Sequence, residues 1–578
     1  YKRQPLTPGT PSGETATPPA SSESPSAKRD LEEPAQDGPA PVHPGQPSPS
    51  VLAPGEGITV TFTGATYESV TEKPEGWFET GQPADIVLNW FGFNNSGGPL
   101  SFNHPSGMVT DGKHLLLTDT WNNRVLIWNS LPEGNESPDL VLGQENFDTN
   151  DSGIGPDRLN WPVGVATDGE RIIVADTYNN RVLIWSEFPM ENGQPADIVL
   201  GVPDFVSRGD VPWPNPENWE KQYTIWPWAV WTDGKRLIVT STATSCVLIW
   251  NNFPTKNNQP ADIVLTRDVG FGTPRTIASD GNCLMISDHN PQPGFKDNFF
   301  WREFPTTDNQ PCDFTMLNPA DPLAGMLLGP FIAPDGKFMA LGGAYLLIWD
   351  TFPKDEADVP DLVLDYAFEW GDGGSIVLGG ERLYVLMANG HRIAVFNSLP
   401  TSPDQVPDFC IGSSDIDTNP LQDENYFVGN PVVASDGKHL FVISDFNSKM
   451  CVWKSLPDES NAKPDIVYSL DLSPWDIALH DGTLAIGGRQ YIYIWSQLPL
   501  NGELPDIILG PRIGNTELLS VGGVALDDEY FYVSDEYAGK IYVWRGIPSQ
   551  SSDPDHVIEM TPNIRRAVSY THLTLPTN

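Results

Sequence analysis

The sequence predicts an all-β fold built from repeated units, and three observations carry this prediction. An aromatic residue followed four positions later by proline recurs nine times, at intervals of 42 to 65 residues. Each recurrence lies in the same layout of four short, β-branched stretches without helical periodicity. Asp-Gly pairs, which favour tight hairpins, follow the first stretch in most copies. Four antiparallel strands per unit, repeated radially, are the plan of a β-propeller. We therefore predict a propeller of about nine four-stranded blades over residues 57–566.

The aromatic column marks the end of the third strand in each copy. Its members are Trp128, Trp185, Trp250, Trp301, Trp349, Phe396, Trp453, Trp495 and Trp544. The residue before each matching proline is always Leu, Phe or Ile. The first-to-second strand turns are predicted at Asp111-Gly112, Asp168-Gly169, Asp233-Gly234, Asp280-Gly281, Asp335-Gly336, Asp436-Gly437 and Asp481-Gly482.

An aspartate precedes the fourth stretch in every copy, and we interpret it as a turn cap whose carboxylate accepts backbone N–H bonds. The column reads Asp139, Asp197, Asp262, Asp313, Asp361, Asp408, Asp465, Asp506 and Asp555. A tenth member, Asp85, lies in the isolated stretch QPADIVL before the first full copy. This role accounts for part of the acidic charge without a ligand.

The grouping of the blades leaves two possibilities. Nine units plus a stray strand exceed the four to eight blades of typical propellers. One large ring fits this number, and so does a complete ring followed by part of a second. Because no obvious linker separates two rings, we expect one continuous assembly.

Both ends of the chain differ from the repeats. Residues 1–56 are rich in Pro, Ser, Thr and Gly and poor in large apolar residues, so we expect a disordered linker or spacer. The chain begins with Tyr1, and residues 568–577 (VSYTHLTLPT) resemble a translated sequencing adapter. We therefore expect a fragment of an environmental gene, with residues 567–578 an artefactual tail.

The composition limits the function classes. A net charge of −43 disfavours nucleic acid and anionic membranes as partners and favours cations or basic partners. The five cysteines show no metal-type spacing, so we expect them to be small buried residues. No apolar run approaches the roughly 18 residues of a membrane span, and we predict none in this fragment.

Two copies read GMVTDGKHLLLTDTWNNRVLIW and GVATDGERIIVADTYNNRVLIW, and these resemble NHL repeats. The resemblance implies that Asp119, Asn123 and Arg124, and likewise Asp176, Asn180 and Arg181, tie the turn between second and third strands. Copy nine keeps a weaker version with Asp535 and Lys540. Other copies place Cys246, Asp297, Tyr345 and Tyr491 at the arginine position. The family implies a binding scaffold in most members and a lyase or hydrolase in a few.

The insertion between the second and third copies is the strongest candidate for a binding site. It is rich in aromatic residues, and we predict that Trp213, Trp219 and Tyr223 form a platform for a protein or carbohydrate ligand. For Trp226, Trp228 and Trp231 we favour packing between blades.

A second candidate is a metal site in the insertion NFDTNDSGIGPD. Asp148, Asn150 and Ser152 alternate like the start of a calcium loop. A solvated turn explains the same residues. No cofactor is required by the sequence, and calcium is the one that these residues would hold.

The histidines are scattered and show no catalytic motif. Only His104 precedes an innermost strand, where other copies place Trp161, Trp226, Thr273 and Gly329. His114 and His439 follow Asp-Gly turns, and we expect them to be exposed. We predict a non-enzymatic binding scaffold, secreted or on the cell surface. The alternatives are a metal-dependent propeller lyase or hydrolase and a structural component of a surface layer.

Overall fold

The computed structural model describes residues 81–88, 91–209, 219–322, 325–421 except 367, 370 and 372, 431–445 and 448–559. These residues form nine four-stranded antiparallel sheets in which the strands follow chain order from the innermost to the outermost. The predicted number of blades is confirmed. The predicted linker over 1–56 and the predicted tail over 567–578 lie outside the described residues.

Blades 1 to 9 are numbered in chain order. The strands of blade 1 are Gly107–Thr110, Leu115–Asp119, Arg124–Trp128 and Leu140–Leu142. The strands of blade 2 are Pro162–Thr167, Ile172–Asp176, Arg181–Trp185 and Ile198–Leu200. The strands of blade 3 are Pro227–Thr232, Leu237–Ser241, Cys246–Trp250 and Ile263–Leu265. The strands of blade 4 are Pro274–Ser279, Leu284–Asp288, Asn298–Trp301 and Phe314–Met316. The strands of blade 5 are Leu328–Ile332, Phe338–Gly342, Tyr345–Trp349 and Leu362–Leu364. The strands of blade 6 are Ile376–Gly379, Arg382–Met387, Arg392–Phe396 and Phe409–Ile411. The strands of blade 7 are Val432–Ser435, Leu440–Ser444, Lys449–Trp453 and Ile466–Ser469. The strands of blade 8 are Asp476–His480, Thr483–Gly488, Tyr491–Trp495 and Ile507–Leu509. The strands of blade 9 are Val521–Leu526, Tyr530–Asp535, Lys540–Arg545 and His556–Glu559.

Short elements complete the described structure. A two-stranded sheet, Arg512–Ile513 with Thr516–Glu517, lies between blades 8 and 9 in sequence. The 3-10 helices are Thr120–Asn122, Thr177–Asn179, Trp219–Lys221, Thr242–Thr244 and Arg267–Val269. No helix among the described residues is long and apolar enough to cross a membrane.

The turns at one rim of the blades form as the sequence predicts. The glycine of every predicted Asp-Gly turn has a positive φ, between 77° and 91°, a conformation that glycine adopts without steric cost. All nine predicted cap carboxylates accept the backbone N–H of the residue after the aromatic column, at 2.6–2.8 Å. Both the turn and the cap predictions are confirmed.

Blades 1 to 6 close into a ring. Five apolar cores join successive blades from 1 to 6, and a sixth joins blade 6 back to blade 1. This closing core packs Phe102, Met108 and Trp128 against Val377 and Tyr384. The six innermost strands line one central channel that encloses about 260 Å³.

Blades 7 to 9 form a separate run, in which one core joins blade 7 to blade 8 and another joins blade 8 to blade 9. The expectation of one continuous assembly is therefore wrong, and the chain contains a complete ring followed by three further blades. The physical reason is that blade 1 offers blade 6 a matching surface. The Tyr384 hydroxyl donates to the carbonyl of Pro132 at 3.2 Å, and Gly412 N–H donates to Asn135 Oδ1 at 2.9 Å.

In blades 2 and 3 the apolar residue before the proline of the column contacts the preceding blade. Phe188 stacks on His114, with ring centroids 4.1 Å apart, and Phe253 lies under the guanidinium of Arg171 at 4.0 Å. The expectation that His114 and His439 are exposed is wrong, because both are buried beside the aspartate of the preceding Asp-Gly turn.

A buried ion pair closes the turn between the second and third strands of blades 1 and 2. Arg124 Nε lies 2.8 Å from Asp119 Oδ2, and Arg181 Nε lies 2.7 Å from Asp176 Oδ2. Arg181 also donates to the carbonyls of Gly155 and Arg158. The arginine therefore fixes both its own turn and the connection that enters the blade, as the NHL resemblance implies for the turn.

The asparagines of the motif act differently from the expectation that they tie this turn. Asn123 Oδ1 accepts the backbone N–H of Trp161 at 2.8 Å, and Asn180 Oδ1 accepts that of Trp226 at 2.9 Å. Each bond joins one blade to the next. At the ring closure His391 takes the asparagine's place, and its Nδ1 accepts the backbone N–H of His104 at 3.1 Å.

Other blades replace the ion pair. In blade 3, Ser241 and Cys246 stand at the two positions, and Thr244 donates to Ser241 Oγ at 2.6 Å. In blade 9, the Lys540 ammonium lies 3.3 Å from Glu559 at the edge of the sheet, so the weaker version of the motif does not reproduce the buried pair.

We predict that Arg181→Cys lowers the free energy of unfolding by about 3–5 kcal/mol, because it leaves the Asp176 carboxylate buried without its partner. The double variant Asp176→Ser with Arg181→Cys copies blade 3 and should lose less than Arg181→Cys alone. Urea unfolding of both variants measures this difference. Lys540→Cys is the control, with an expected loss below about 1 kcal/mol for an exposed pair. Additive losses in the double variant would contradict the prediction.

The ring closure should be sensitive to acid. Burial lowers the pKa of His104 to about 4 and holds that of His391 well below its ordinary value of 6.5. The unfolded chain therefore binds protons that the folded chain does not, and stability, full above pH 6.5, falls as the pH decreases toward 4. At about 1.4 kcal/mol per pKa unit, the loss from His104 alone approaches about 3 kcal/mol.

His391→Asn separates this effect from the titration of carboxylates. Asparagine keeps an acceptor for His104 N–H, as Asn123 does for Trp161, and removes one titrating ring. We expect the urea midpoint of this variant to fall less between pH 7 and pH 5 than that of the unaltered chain. Equal pH dependence of the two proteins would be the contrary result.

Candidate binding site at the channel mouth

The residues that precede the innermost strands lie at one mouth of the channel. His104, Trp161 and Trp226 occupy this place in blades 1, 2 and 3, with φ values of 45°, 57° and 53°. Large side chains rarely adopt this left-handed conformation, which stores backbone strain. The inter-blade bonds to the backbone N–H groups of these three residues hold the conformation. The mouth is therefore a preformed, strained surface.

Three aromatic rings of this mouth form a patch that we name the aromatic platform: Trp161, Tyr178 and Trp226. The Trp161 and Tyr178 rings lie 4.6 Å apart at 12°, and Tyr178 and Trp226 lie 5.9 Å apart at 18°. Their planes are nearly parallel although the rings come from two blades. Tyr178 is 45% exposed and Trp226 is 37% exposed, so the platform offers aromatic surface to solvent.

The platform continues into the channel wall. Trp228, on the innermost strand of blade 3, lines the channel and packs edge to face on Trp161 at 5.6 Å. The Arg275 guanidinium of blade 4 lies 4.1 Å over the Trp228 ring, a cation–π arrangement. One positive charge therefore borders an apolar surface.

Two titratable groups at the mouth, Tyr178 and His104, are neutral near pH 7. Burial raises the pKa of the Tyr178 hydroxyl above its ordinary value and lowers that of His104 to about 4. The His104 ring also stacks on Trp121 at 4.2 Å. Neutral, flat rings beside one cation suit a neutral polar ligand with an apolar face better than a second cation.

The structure places the residues predicted for ligand binding as follows. Trp213 lies outside the described residues, and Trp219 begins the 3-10 helix Trp219–Lys221, but its side chain also lies outside them. Tyr223 is half-buried. The Lys221 carbonyl accepts the N–H of Ala261 at 2.7 Å, just before the outermost strand of blade 3. The helix thus lies at the outer edge of the blade, and the site at these three residues stays a prediction.

The interpretation that the other three tryptophans pack between blades holds for Trp228 and Trp231 and, in part, for Trp226. Trp228 is buried, and Trp231 packs in the core between blades 3 and 4. Trp226 stacks on Tyr178 and Trp161 of blade 2, and 37% of its surface remains exposed at the mouth. The sequence contained a signal for this position of Trp226. An alignment of the residues before the innermost strands places Trp226 at the same position as Trp161.

The predicted metal residues lie in a loop that backbone bonds hold against residues 94–98. The Asp148 carbonyl accepts the N–H of Ser96 at 2.7 Å, and the Asn150 side chain donates to Asn122 Oδ1 at 3.2 Å. Asp148 and Ser152 are exposed. Within the described ranges no group of three or more His, Cys, Asp or Glu side chains has metal-binding geometry. Calcium at Asp148, Asn150 and Ser152 stays a prediction.

Two histidines do meet at the mouth, a pattern relevant to the enzyme alternative. His104 and His391 lie edge to face with ring centroids 4.6 Å apart. His391 is 1% exposed and accepts a backbone N–H across the ring closure. These bonds give the pair a role in closing the ring.

The comparisons with known proteins give one family match. The model of the NHL repeat matches residues 159–185, which run from before the innermost strand of blade 2 to the end of its third strand. No curated protein matches the chain. The crystal structure of the computationally designed Ika8 protein is similar at 11% identity and a TM-score of 0.25, over 68% of this chain and 98% of that chain. That likeness is too low to support an argument. The matched repeat lies among nine sheets of the same plan, and the chain is a β-propeller protein with NHL-like blades.

Proposed function

We propose that the protein is a non-enzymatic binding scaffold whose ligand docks on the aromatic platform at the channel mouth of the six-bladed ring. The ligand that fits best is a carbohydrate. The observation that carries this proposal is the exposed, nearly parallel arrangement of Trp161, Tyr178 and Trp226. In propellers, as in other scaffolds, function is usually placed on connections that a rigid framework positions.

The chemistry of the platform supports a sugar. The C–H face of a pyranose is flat and apolar, and it can cover an aromatic ring while its hydroxyls remain in water. The strain at Trp161 and Trp226 is present before any ligand arrives, so little ordering is needed on binding. The Arg275 guanidinium beside Trp228 adds a donor side chain at the border of this surface.

A protein ligand is the second candidate, and the overall charge favours it. With 76 acidic against 33 basic residues, the chain attracts basic partners over long range. Aromatic rings also bind cationic side chains. A basic peptide and a neutral oligosaccharide are therefore the two ligand types to compare.

We also propose that the protein acts outside the cell or on its surface. The support is the Pro-rich composition of residues 1–56, which is typical of a spacer between a domain and an anchor. Protease treatment of intact cells that express the gene tests this location. Digestion of the protein without lysis is expected, and resistance until lysis would contradict it.

We predict that Trp226→Ala weakens binding to a responsive polysaccharide about tenfold, the effect of losing about 1.4 kcal/mol of stacking. A panel of soluble polysaccharides and a basic peptide, measured by calorimetry, identifies the ligand. Thermal stability should change little, because Trp226 is already partly in water. A core aromatic would instead cost about 3–5 kcal/mol.

The matched control is Trp475→Ala, which removes a tryptophan of similar exposure, 41%, from outside the ring. We expect it to leave binding unchanged. Trp213→Ala with Trp219→Ala tests the insertion separately. Loss of binding in this double variant but not in Trp226→Ala would move the site to the insertion and contradict the platform.

A further inference from the structure

Residues Gln82–Leu88, the N-terminal segment, contact blade 7 although blade 1 follows them in sequence. Val87 N–H donates to Ser460 Oγ at 3.1 Å, and Asn461 N–H donates to the Val87 carbonyl at 2.8 Å. Leu88 packs against the cluster Val442, Cys451 and Trp453. The segment therefore contacts blade 7 at two places: the turn before its outermost strand, at Ser460 and Asn461, and the apolar face formed by Val442, Cys451 and Trp453.

The same pair of bonds joins successive blades inside the ring. Val141, on the outermost strand of blade 1, donates to Asn192 Oδ1 at 3.1 Å and accepts from Gly193 N–H at 2.9 Å. Val199 of blade 2 donates to Asn257 Oδ1 at 3.1 Å and accepts from Asn258 N–H at 2.7 Å. Val87 thus occupies the place of an outermost strand relative to blade 7.

The backbone conformation of the donor residues and the packing of Leu88 also match those found at the outermost strands of the ring. Gly193, Asn258 and Asn461, which donate these bonds, all have positive φ values of 64°, 52° and 59°. Leu142 of blade 1 belongs to one core with Val174, Leu183 and Trp185 of blade 2, as Leu88 does with Val442, Cys451 and Trp453 of blade 7.

The sequence of the segment also matches that of outermost strands in the ring. The heptapeptide QPADIVL occurs three times, at residues 82–88, 194–200 and 259–265. The second and third copies enter the outermost strands of blades 2 and 3. The N-terminal segment therefore has the residues of an outermost strand as well as its contacts.

We propose that blade 7 carries a strand-acceptor site for an extended peptide of the Pro-Ala-Asp-Ile-Val-Leu type, and that the N-terminal segment of the same chain fills it as a clasp. The site consists of the Ser460–Asn461 turn and the face formed by Val442, Cys451 and Trp453. It is independent of the carbohydrate site. The two bonds to the backbone of Val87 provide affinity, and the apolar pocket for Leu88 provides specificity.

The clasp links the three-bladed run to the ring. Directly after the segment, Asn95 pairs with Thr149, and Ser96 N–H donates to the Asp148 carbonyl at 2.7 Å. These bonds anchor the chain on the connection between blades 1 and 2. Because its two anchors are close in sequence, the segment acts at a high local concentration, on the order of millimolar for a short tether.

The test uses the full chain and a labelled peptide of residues 81–90, GQPADIVLNW. Leu88→Asp puts a charge into the apolar pocket and should free the site. We expect the Leu88→Asp chain to bind the peptide at least about tenfold more tightly than the unaltered chain, whose tethered segment competes. Asp85→Asn, at an exposed position of the segment, is the control and should behave like the unaltered chain. A peptide with proline at the Val87 position lacks the N–H donor and should not bind.

Equal peptide binding by the unaltered and Leu88→Asp chains, or no binding by a folded Leu88→Asp chain, would overturn the proposal. Hydrogen exchange of the unaltered chain gives a second, independent readout. The amides of Val87 and Asn461 should exchange at least about tenfold more slowly than that of Ala84, and equal rates would also overturn it. A dimer that Leu88→Asp dissociates would assign the segment to a second copy and contradict an intramolecular clasp.

Discussion

A hydrogen bond that the side chain before a third strand accepts from the backbone of the next blade is the constraint at three of the six boundaries of the ring, including the one that closes it. Asn123, Asn180 and His391 all adopt a left-handed backbone conformation, which points each side chain across the blade boundary. Each accepts the N–H of a residue that is itself left-handed. Two conformations that are unfavourable alone are thus held together by one bond, and the side chains at the mouth are positioned as a result.

This constraint explains why the ring can close on different chemistry. Blades 1 and 2 use asparagine, whereas blade 6 uses a histidine whose Nδ1 supplies an equivalent acceptor. The histidine must remain unprotonated at that nitrogen to accept the bond. The closing boundary therefore combines the geometry of the other boundaries with a dependence on proton concentration that asparagine lacks.

Much of the fold could be predicted from the sequence because it depends on local chemistry. The Asp-Gly turn, the cap aspartate and the column aromatic of each copy all act within a single blade. The closure of six blades could not be predicted, because it depends on the fit of Tyr384 to blade 1 across more than two hundred residues. The aromatic platform escaped prediction for a similar reason. Trp161 and Trp226 each resemble ordinary residues before a strand, and only the packing of blade 3 on blade 2 brings Trp226 beside Tyr178.

The cap aspartates have a consequence for how such a protein can diversify. Each carboxylate caps its own turn through a residue ten or eleven positions earlier, so the cap forms within a single blade. The rim opposite these turns carries the connections from each outermost strand to the next innermost strand, and in sequence the long insertion before blade 3 belongs to one of these connections. Mutational change, including the gain or loss of whole segments, is thereby directed to one side of the molecule. Evolution can alter what that side recognises while the other continues to specify the blade.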